Sequence, residues 1–179
     1  MSRTQKILAF LLLAVVGTLM FFVLSPENFA PSDSSGADSP TVALPADATP
    51  AIVNYVHDGD TMFIKTGSDE NLKVRLLGID TPEVGDNLEC YGDEATQALR
   101  DLAPENSTVW VLPDRESFDQ YGRSLLYLWQ ADGTFINLAL VEQGYAEAVF
   151  IGDNREYETE IEAAEDEAQA AERGIWGEC

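Results

Sequence analysis

From residue 51 onward, apolar and polar side chains alternate in short runs that are separated by turn residues. This period predicts half-buried β-strands. The predicted strands are Ala51–Val56, Thr61–Lys65, Leu72–Ile79, Thr108–Leu112 and Ser124–Trp129. The Asp58-Gly59 pair between the first two runs favours a hairpin, because both residue types tolerate positive φ.

Three further segments have helical spacing. They are Glu94–Leu102, a short helix from Asn137 to Gln143 with Asn137 as its candidate N-cap, and Tyr157–Arg173 with Gly174 as its stop. A few short strands with helices between and after them favour a small closed barrel. We therefore predict an α+β, mainly β fold: a five-stranded OB-fold β-barrel with about three helices.

The first residues have the pattern of a membrane signal. Arg3 and Lys6 precede an uncharged, strongly apolar run from Ile7 to Leu24. That run is just long enough to cross a hydrocarbon core of about 30 Å. The basic flank predicts that the N-terminus is inside and that everything after Leu24 is outside the cell.

Residues 1–24 are therefore expected to be a signal anchor, with a cleaved signal peptide as the alternative, because no good cleavage site follows the run. Residues 25–50 are rich in Pro, Ser, Asp and Ala and are expected to form a disordered linker. Residues 51–179 form the predicted domain. It would lie on the extracellular face of the membrane through residues 7–24, or be secreted if the signal is cleaved.

The net charge is strongly negative. The 179 residues contain 32 acidic and 10 basic side chains, a formal charge of −22. Nucleic-acid binders normally show the reverse balance. Two interpretations remain open: an acidic surface that keeps the protein soluble, or a halophilic adaptation, which we favour because salt screens the self-repulsion.

The two cysteines are Cys90 and Cys179. An exported chain permits disulfides, and an even count without metal-type spacing favours one bridge. Such a bridge would stabilise the fold by about 4–5 kcal/mol in the chain-entropy model. Two free thiols are the alternative.

Candidate chemistry is concentrated in three segments. The first contains Asp58 and Asp60, the second runs from Arg75 to Glu83, and the third is Tyr121-Gly122-Arg123. Carboxylates suit a hard divalent cation, and arginine matches phosphate oxygens. A metal beside a phosphate clamp is the minimum requirement for cleaving a phosphodiester.

Strict alternation would place Arg75 and Asp80 on opposite faces of their strand. For both side chains to reach one site, the strand must bend or bulge, and Gly78 is the expected position.

The chain from about Ala51 to Trp176 resembles the thermonuclease family, whose type member is the staphylococcal nuclease. The segments that carry the resemblance occur in the family order and spacing. They are Val56–Thr61, Val74–Glu83, Tyr91–Ala95, Asp119–Ser124, Asn137–Ala146 and Gly174–Trp176.

The resemblance implies a Ca²⁺-dependent nuclease that cleaves DNA and RNA and leaves 3′-phosphate ends. It implies that Asp60, Asp80 and the Thr81 carbonyl bind calcium. Glu83 matches the general base, and Arg75 and Arg123 match the arginines that bind the scissile phosphate. Tyr121 matches a substrate-binding residue, whereas Asp58 is better interpreted as a turn residue.

The chain departs from the family in its substrate-binding groups. Gln120 stands where the type member has a lysine, and two pocket tyrosines fall at Phe150 and Gly152. We therefore expect weaker substrate affinity with an intact catalytic set. The alternative function is a catalytically idle OB-type module that binds nucleic acid or protein at the cell surface.

Overall fold

The computed structural model describes residues 42–68 and 71–179, and the predicted membrane segment and most of the predicted linker lie outside them. Within the described ranges, no helix is both long enough and apolar enough to cross a membrane. The strands are β1 (Thr49–Val56), β2 (Thr61–Lys65), β3 (Asn71–Leu76), β4 (Ile79–Asp80), β5 (Thr108–Leu112), β6 (Ser124–Trp129) and β7 (Glu147–Ala148).

Five of these strands form a closed barrel in the order β1-β2-β3-β6-β5, which confirms the predicted mainly β architecture. The β3–β6 pair is parallel and the other barrel pairs are antiparallel. Alternate side chains of the strands, such as Val53, Ile64 and Val74, are fully buried in the barrel. The alternation arises because successive side chains of a strand point to opposite faces of the sheet.

The helices are α1 (Gly92–Leu102), α2 (Ile136–Glu142), α3 (Glu158–Ala170) and α4 (Ile175–Glu178). A single 3₁₀ turn, Gly85–Asn87, follows β4. α3 buries a narrow stripe of Ile161, Ala164 and Ala168. The apolar side chains of α2 are buried, and α2 packs against β6 and α3.

The predicted third strand, Leu72–Ile79, is wrong in its extent. β3 ends at Leu76, and the chain turns at Gly78, where φ is +76°, before the two-residue strand β4. β4 leaves the barrel and pairs with β7, with Asp80 opposite Glu147. The expected bend at Gly78 is therefore confirmed, and it separates Arg75 from Asp80 by a change of strand.

Asn137 does not cap α2, because the N-cap is Phe135. The Asn137 side chain is fully buried instead. Its Oδ1 accepts the Leu128 N–H at 2.9 Å, and its Nδ2 donates to the Leu77 carbonyl at 2.9 Å. Asn137 therefore connects α2 to β6 and to the turn that follows β3.

Cys90 and Cys179 form a disulfide, as predicted, with their Cα atoms 6.0 Å apart. The bridge joins Cys90, two residues before the start of α1, to Cys179, the residue that follows α4. The C-terminal segment is also held by the Ile175 N–H, which donates to the Gly144 carbonyl at 2.9 Å.

Candidate active site

The turn between β1 and β2 presents Asp60 from a rigid backbone. The Asp58 Oδ1 accepts the N–H groups of Asp60 at 3.1 Å and Thr61 at 2.7 Å. In turns, an aspartate side chain commonly accepts hydrogen bonds from main-chain N–H groups that follow it in the sequence. Asp58 therefore shapes the turn, and Asp60 is the carboxylate that faces inward.

Asp60 is buried, with 7% of its surface exposed. One oxygen accepts the Thr61 hydroxyl at 3.0 Å, and the other accepts the Thr81 N–H at 3.2 Å and the Thr81 hydroxyl at 3.3 Å. Burial raises the pKa of Asp60 to about 6, with a further upward contribution from Asp58 and an opposing one from Arg75. A buried carboxylate of this kind is stabilised as an anion by any additional positive charge.

Arg75 brings the two predicted metal-binding carboxylates together. Its Nη1 lies 3.1 Å from Asp60 Oδ2, and its Nη2 lies 2.5 Å from Asp80 Oδ1. Nη1 also donates to the Leu76 carbonyl at 2.9 Å. Asp60 is buried, whereas the Asp80 side chain is 59% exposed. The Arg75 guanidinium therefore contacts one buried and one solvent-exposed carboxylate.

Arg123 is held by a tight turn before β6. The Asp119 carboxylate accepts the Tyr121 N–H at 2.9 Å, the Arg123 N–H at 2.9 Å and the Arg123 Nε at 2.6 Å. The guanidinium carbon of Arg123 lies 5.7 Å from the centre of the Tyr121 ring. Although partial burial raises the pKa of Asp119, the bonds from Arg123 and Tyr121 hold it below its usual value.

These groups meet at one cavity of about 560 Å³. Of the residues predicted from the sequence, those that line it are Asp60, Arg75, Asp80, Glu83, Tyr121 and Arg123. The Thr81 side chain is buried and does not line the cavity, and the Thr81 N–H and hydroxyl donate to the Asp60 carboxylate instead. Glu83 is exposed, and its carboxylate makes no hydrogen bond or ion pair within the described part of the chain.

The cavity rim contains side chains that the sequence did not single out. Phe118 and Ile151 are 66% and 80% exposed beside Tyr121, which is 77% exposed. Glu116 also lines the cavity, and its carboxylate lies directly against Gly152, the residue after Ile151. No periodic pattern marks these residues, because they lie in loops or in irregular chain.

The donor set at the cavity fits a hard cation. Asp60 and Asp80 supply carboxylate oxygens that already meet at one cation, the Arg75 guanidinium. Across residues 42–68 and 71–179, no three His, Cys, Asp or Glu residues are grouped to hold a metal ion. An ion bound here would therefore take many of its ligands from main-chain oxygen and water, as calcium and magnesium commonly do.

Comparison with known proteins adds independent findings. The family model described as "Staphylococcal nuclease homologue" matches residues 73–178. A thermonuclease of Staphylococcus intermedius is 40% identical over 129 residues, which cover 70% of this chain and 74% of that protein. A thermonuclease of Staphylococcus hyicus is 30% identical over 177 residues, covering 96% and 98% of the two chains. Endonuclease YhcR of Bacillus subtilis is 32% identical over 137 residues, covering 71% of this chain but 11% of that protein.

Proposed function

Because this chain belongs to the staphylococcal nuclease homologue family, we propose that it hydrolyses the phosphodiester bonds of DNA, RNA or both. The observation that carries the proposal is the shared cavity. Its lining includes the carboxylates of Asp60 and Asp80, the guanidinium groups of Arg75 and Arg123, and the exposed carboxylate of Glu83, which has no partner within the described residues.

The proposed cofactor is Ca²⁺, held by the carboxylates of Asp60 and Asp80 and the main-chain carbonyl of Thr81. When bound, such an ion stabilises negative charge on phosphoryl oxygens and lowers the pKa of nearby water. The assignment is supported by the carboxylates of Asp60 and Asp80, which already meet at one positive charge, the Arg75 guanidinium.

Arg75 and Arg123 would bind the scissile phosphate. Each guanidinium now faces carboxylates of its own chain: Asp60 and Asp80 for Arg75, and Asp119 for Arg123. These carboxylates fix the direction of each guanidinium, and both guanidiniums retain N–H donors for phosphate oxygens. Donors that are already oriented stabilise the charge that develops in the transition state without a large reorganisation.

Glu83 would take the proton of the attacking water. Its carboxylate is exposed at the cavity and accepts no hydrogen bond within the described residues, so its oxygens are accessible to a water molecule there. Attack in line with the leaving 5′ oxygen would yield a 5′-hydroxyl fragment and a 3′-phosphate. The proton of the attacking water goes to Glu83, and the electron pair of the broken P–O bond leaves with the 5′ oxygen, which takes up a proton from solvent water to become the 5′-hydroxyl.

Substrate affinity is proposed to be weaker than in the type member of the family. Gln120 carries no charge at the rim, and Gly152 has no side chain to stack on a base. The Glu116 carboxylate lies beside Gly152 and would repel phosphate. Loss of one stacking platform costs about 1–3 kcal/mol per base.

The cellular setting is part of the proposal. The apolar run at residues 7–24 supports export, with the domain on the outer face of the membrane or released from it. The net charge of −22 supports a salty working environment. A domain whose stability is unchanged between dilute buffer and molar NaCl would contradict the second point.

A degradation assay tests the function. The full chain is incubated with DNA and with RNA, in Ca²⁺ or in chelator, at several salt concentrations. We expect Ca²⁺-dependent cleavage that Glu83→Gln reduces by about 10²–10⁴-fold, the usual contribution of a general base. Glu105→Gln, an exposed glutamate that does not line the cavity, is the matched control. Binding without cleavage by the parent chain would instead favour an idle binding module.

A further inference from the structure

The main chain of Glu83 is held on both sides by one residue, Glu89. The Glu83 N–H donates to the Glu89 carboxylate at 3.0 Å. In return, the Glu89 N–H donates to the Glu83 carbonyl at 2.9 Å. These two bonds join the two ends of the loop that runs from Glu83 to Glu89.

The segment around Gly92 packs directly against the Glu83 carbonyl. A Cβ on Gly92 would be 2.5 Å from the Glu83 carbonyl oxygen, so only a glycine permits this approach. The Gly92 N–H donates to the Glu89 carbonyl at 3.2 Å. Tyr91, between them, has a φ of +73°, the left-handed region that non-glycine residues rarely adopt. The path of this segment is therefore specific, and it keeps Glu89 beside Glu83.

Few buried contacts hold the loop from Glu83 to Cys90 in this conformation. Glu83, Gly85, Leu88, Glu89 and Cys90 are all exposed. Exposed hydrogen bonds and few buried apolar contacts are typical of segments that open locally at low free energy. The residue after Glu89 is Cys90, and its disulfide to Cys179 anchors this segment to the C-terminal segment. That segment is fixed in turn by the bond from the Ile175 N–H to the Gly144 carbonyl.

We propose that Glu89 is a positioning residue for the Glu83 carboxylate, and that the Cys90–Cys179 disulfide keeps Glu89 in place. The inference rests on the proposed role of Glu83 as the base. Because the N–H and the carbonyl of Glu83 are both hydrogen-bonded to Glu89, the Glu83 backbone is fixed and only its side-chain torsions remain free. The carboxylate then samples a narrow region of the cavity mouth. Without the Glu89 bonds, the loop backbone moves and carries the base with it.

Two Glu89 variants and one control test the positioning role in the full chain. Glu89→Ala removes the acceptor for the Glu83 N–H, whereas Glu89→Gln keeps an oxygen acceptor. Asp86→Ala removes a carboxylate from the same loop that makes no hydrogen bond within the described residues. kcat and KM are measured on a single-stranded oligonucleotide with Ca²⁺.

We expect Glu89→Ala to lower kcat by about tenfold or more with little change in KM, since misplacement of a catalytic group by about 1 Å can cost about 10²-fold. Glu89→Gln should recover most of that loss, and Asp86→Ala should behave as the parent. Parental kcat in Glu89→Ala, or an equal loss in Glu89→Gln, would overturn the inference.

Hydrogen–deuterium exchange provides a readout that does not depend on activity. In Glu89→Ala, the amide of Glu83 should exchange at least tenfold faster, while the amides of β5 keep parental protection. If the parent chain shows no nuclease activity, the proposed function fails, and this measurement still decides whether Glu89 holds Glu83.

The disulfide is tested by the double variant Cys90→Ser with Cys179→Ser. Far-ultraviolet circular dichroism establishes that it is folded at the assay temperature, which is lowered if necessary. We expect faster exchange at Glu83 and a lower kcat, in the same direction as Glu89→Ala. A folded double variant with parental kcat and parental exchange at Glu83 would overturn this part.

Discussion

Replacing Asn137 with alanine should destabilise the domain more than any surface change. The Asn137 side chain is fully buried and satisfies the Leu128 N–H and the Leu77 carbonyl, each at 2.9 Å. Its third contact, to the Leu126 carbonyl at 3.5 Å, is less important because that oxygen also accepts the Leu77 N–H at 3.0 Å.

The magnitude follows from the two main-chain groups that would lose their partner. A buried donor or acceptor left unsatisfied costs about 1–3 kcal/mol. Two such groups therefore give a loss of about 2–6 kcal/mol in the free energy of unfolding, and we expect about 3–4 kcal/mol. Leu77 lies between Arg75 and Gly78, so the same substitution should also loosen the turn that brings Asp80 to the cavity.

Urea unfolding followed by tryptophan fluorescence measures this loss, compared at equal m-values so that the denatured states are equivalent. The matched control is Asn71→Ala, which removes an exposed asparagine bonded only weakly to Asn54 at 3.4 Å. That control should change the free energy by less than about 0.5 kcal/mol. A loss below about 1 kcal/mol for Asn137→Ala would refute the argument that these two main-chain groups depend on Asn137.

Three further predictions concern the site and its support. In Gly59→Ala the new Cβ would lie 2.6 Å from the Thr81 hydroxyl. Overpacking of about 1–3 kcal/mol should lower Tm by roughly 4–11 °C in a calorimetric scan, and an unchanged Tm would contradict this prediction. Asp119→Ala removes the carboxylate that orients Arg123. KM should therefore rise about tenfold, which corresponds to the free energy of about one charge-assisted hydrogen bond. An unchanged KM would argue against a phosphate role for that arginine. Burial raises the pKa of Glu142, so its contribution to stability is present at low pH and lost as the pH rises through its folded pKa. Glu142→Gln should therefore raise Tm at pH 7 but not below the ordinary value of 4.5, and an equal gain at both pH values would contradict this.

Local patterns were sufficient to predict the five barrel strands, except for the end of the third, and the bend in the chain at Gly78. Alternation depends only on which face of a strand is buried, and the sequence records it directly. The bend was predictable because Arg75 and Asp80 could not otherwise share a site. The two-residue strands β4 and β7 were not predictable, because a pair so short has no period and forms only when distant segments meet.

The same limit applies to the support of the candidate site. Asn137 resembles a helix cap in the sequence, because capping is the common role of an asparagine before an apolar helix. Its actual partners, Leu128 and Leu77, are brought to it by the barrel. Glu89 likewise has the pattern of a solvated surface residue, and only the return of the chain at Gly92 shows that it holds Glu83.

The disulfide has a practical consequence for handling the protein. Its two cysteines are 89 positions apart, and the exposed segment around Phe118 and Tyr121 lies between them. A protease that cuts there produces two fragments that remain covalently joined, one ending at the cut and one carrying Cys179. On a denaturing gel without reductant, the nicked molecule migrates as a single band near the intact mass. Purity and integrity of this chain therefore have to be judged on reduced samples.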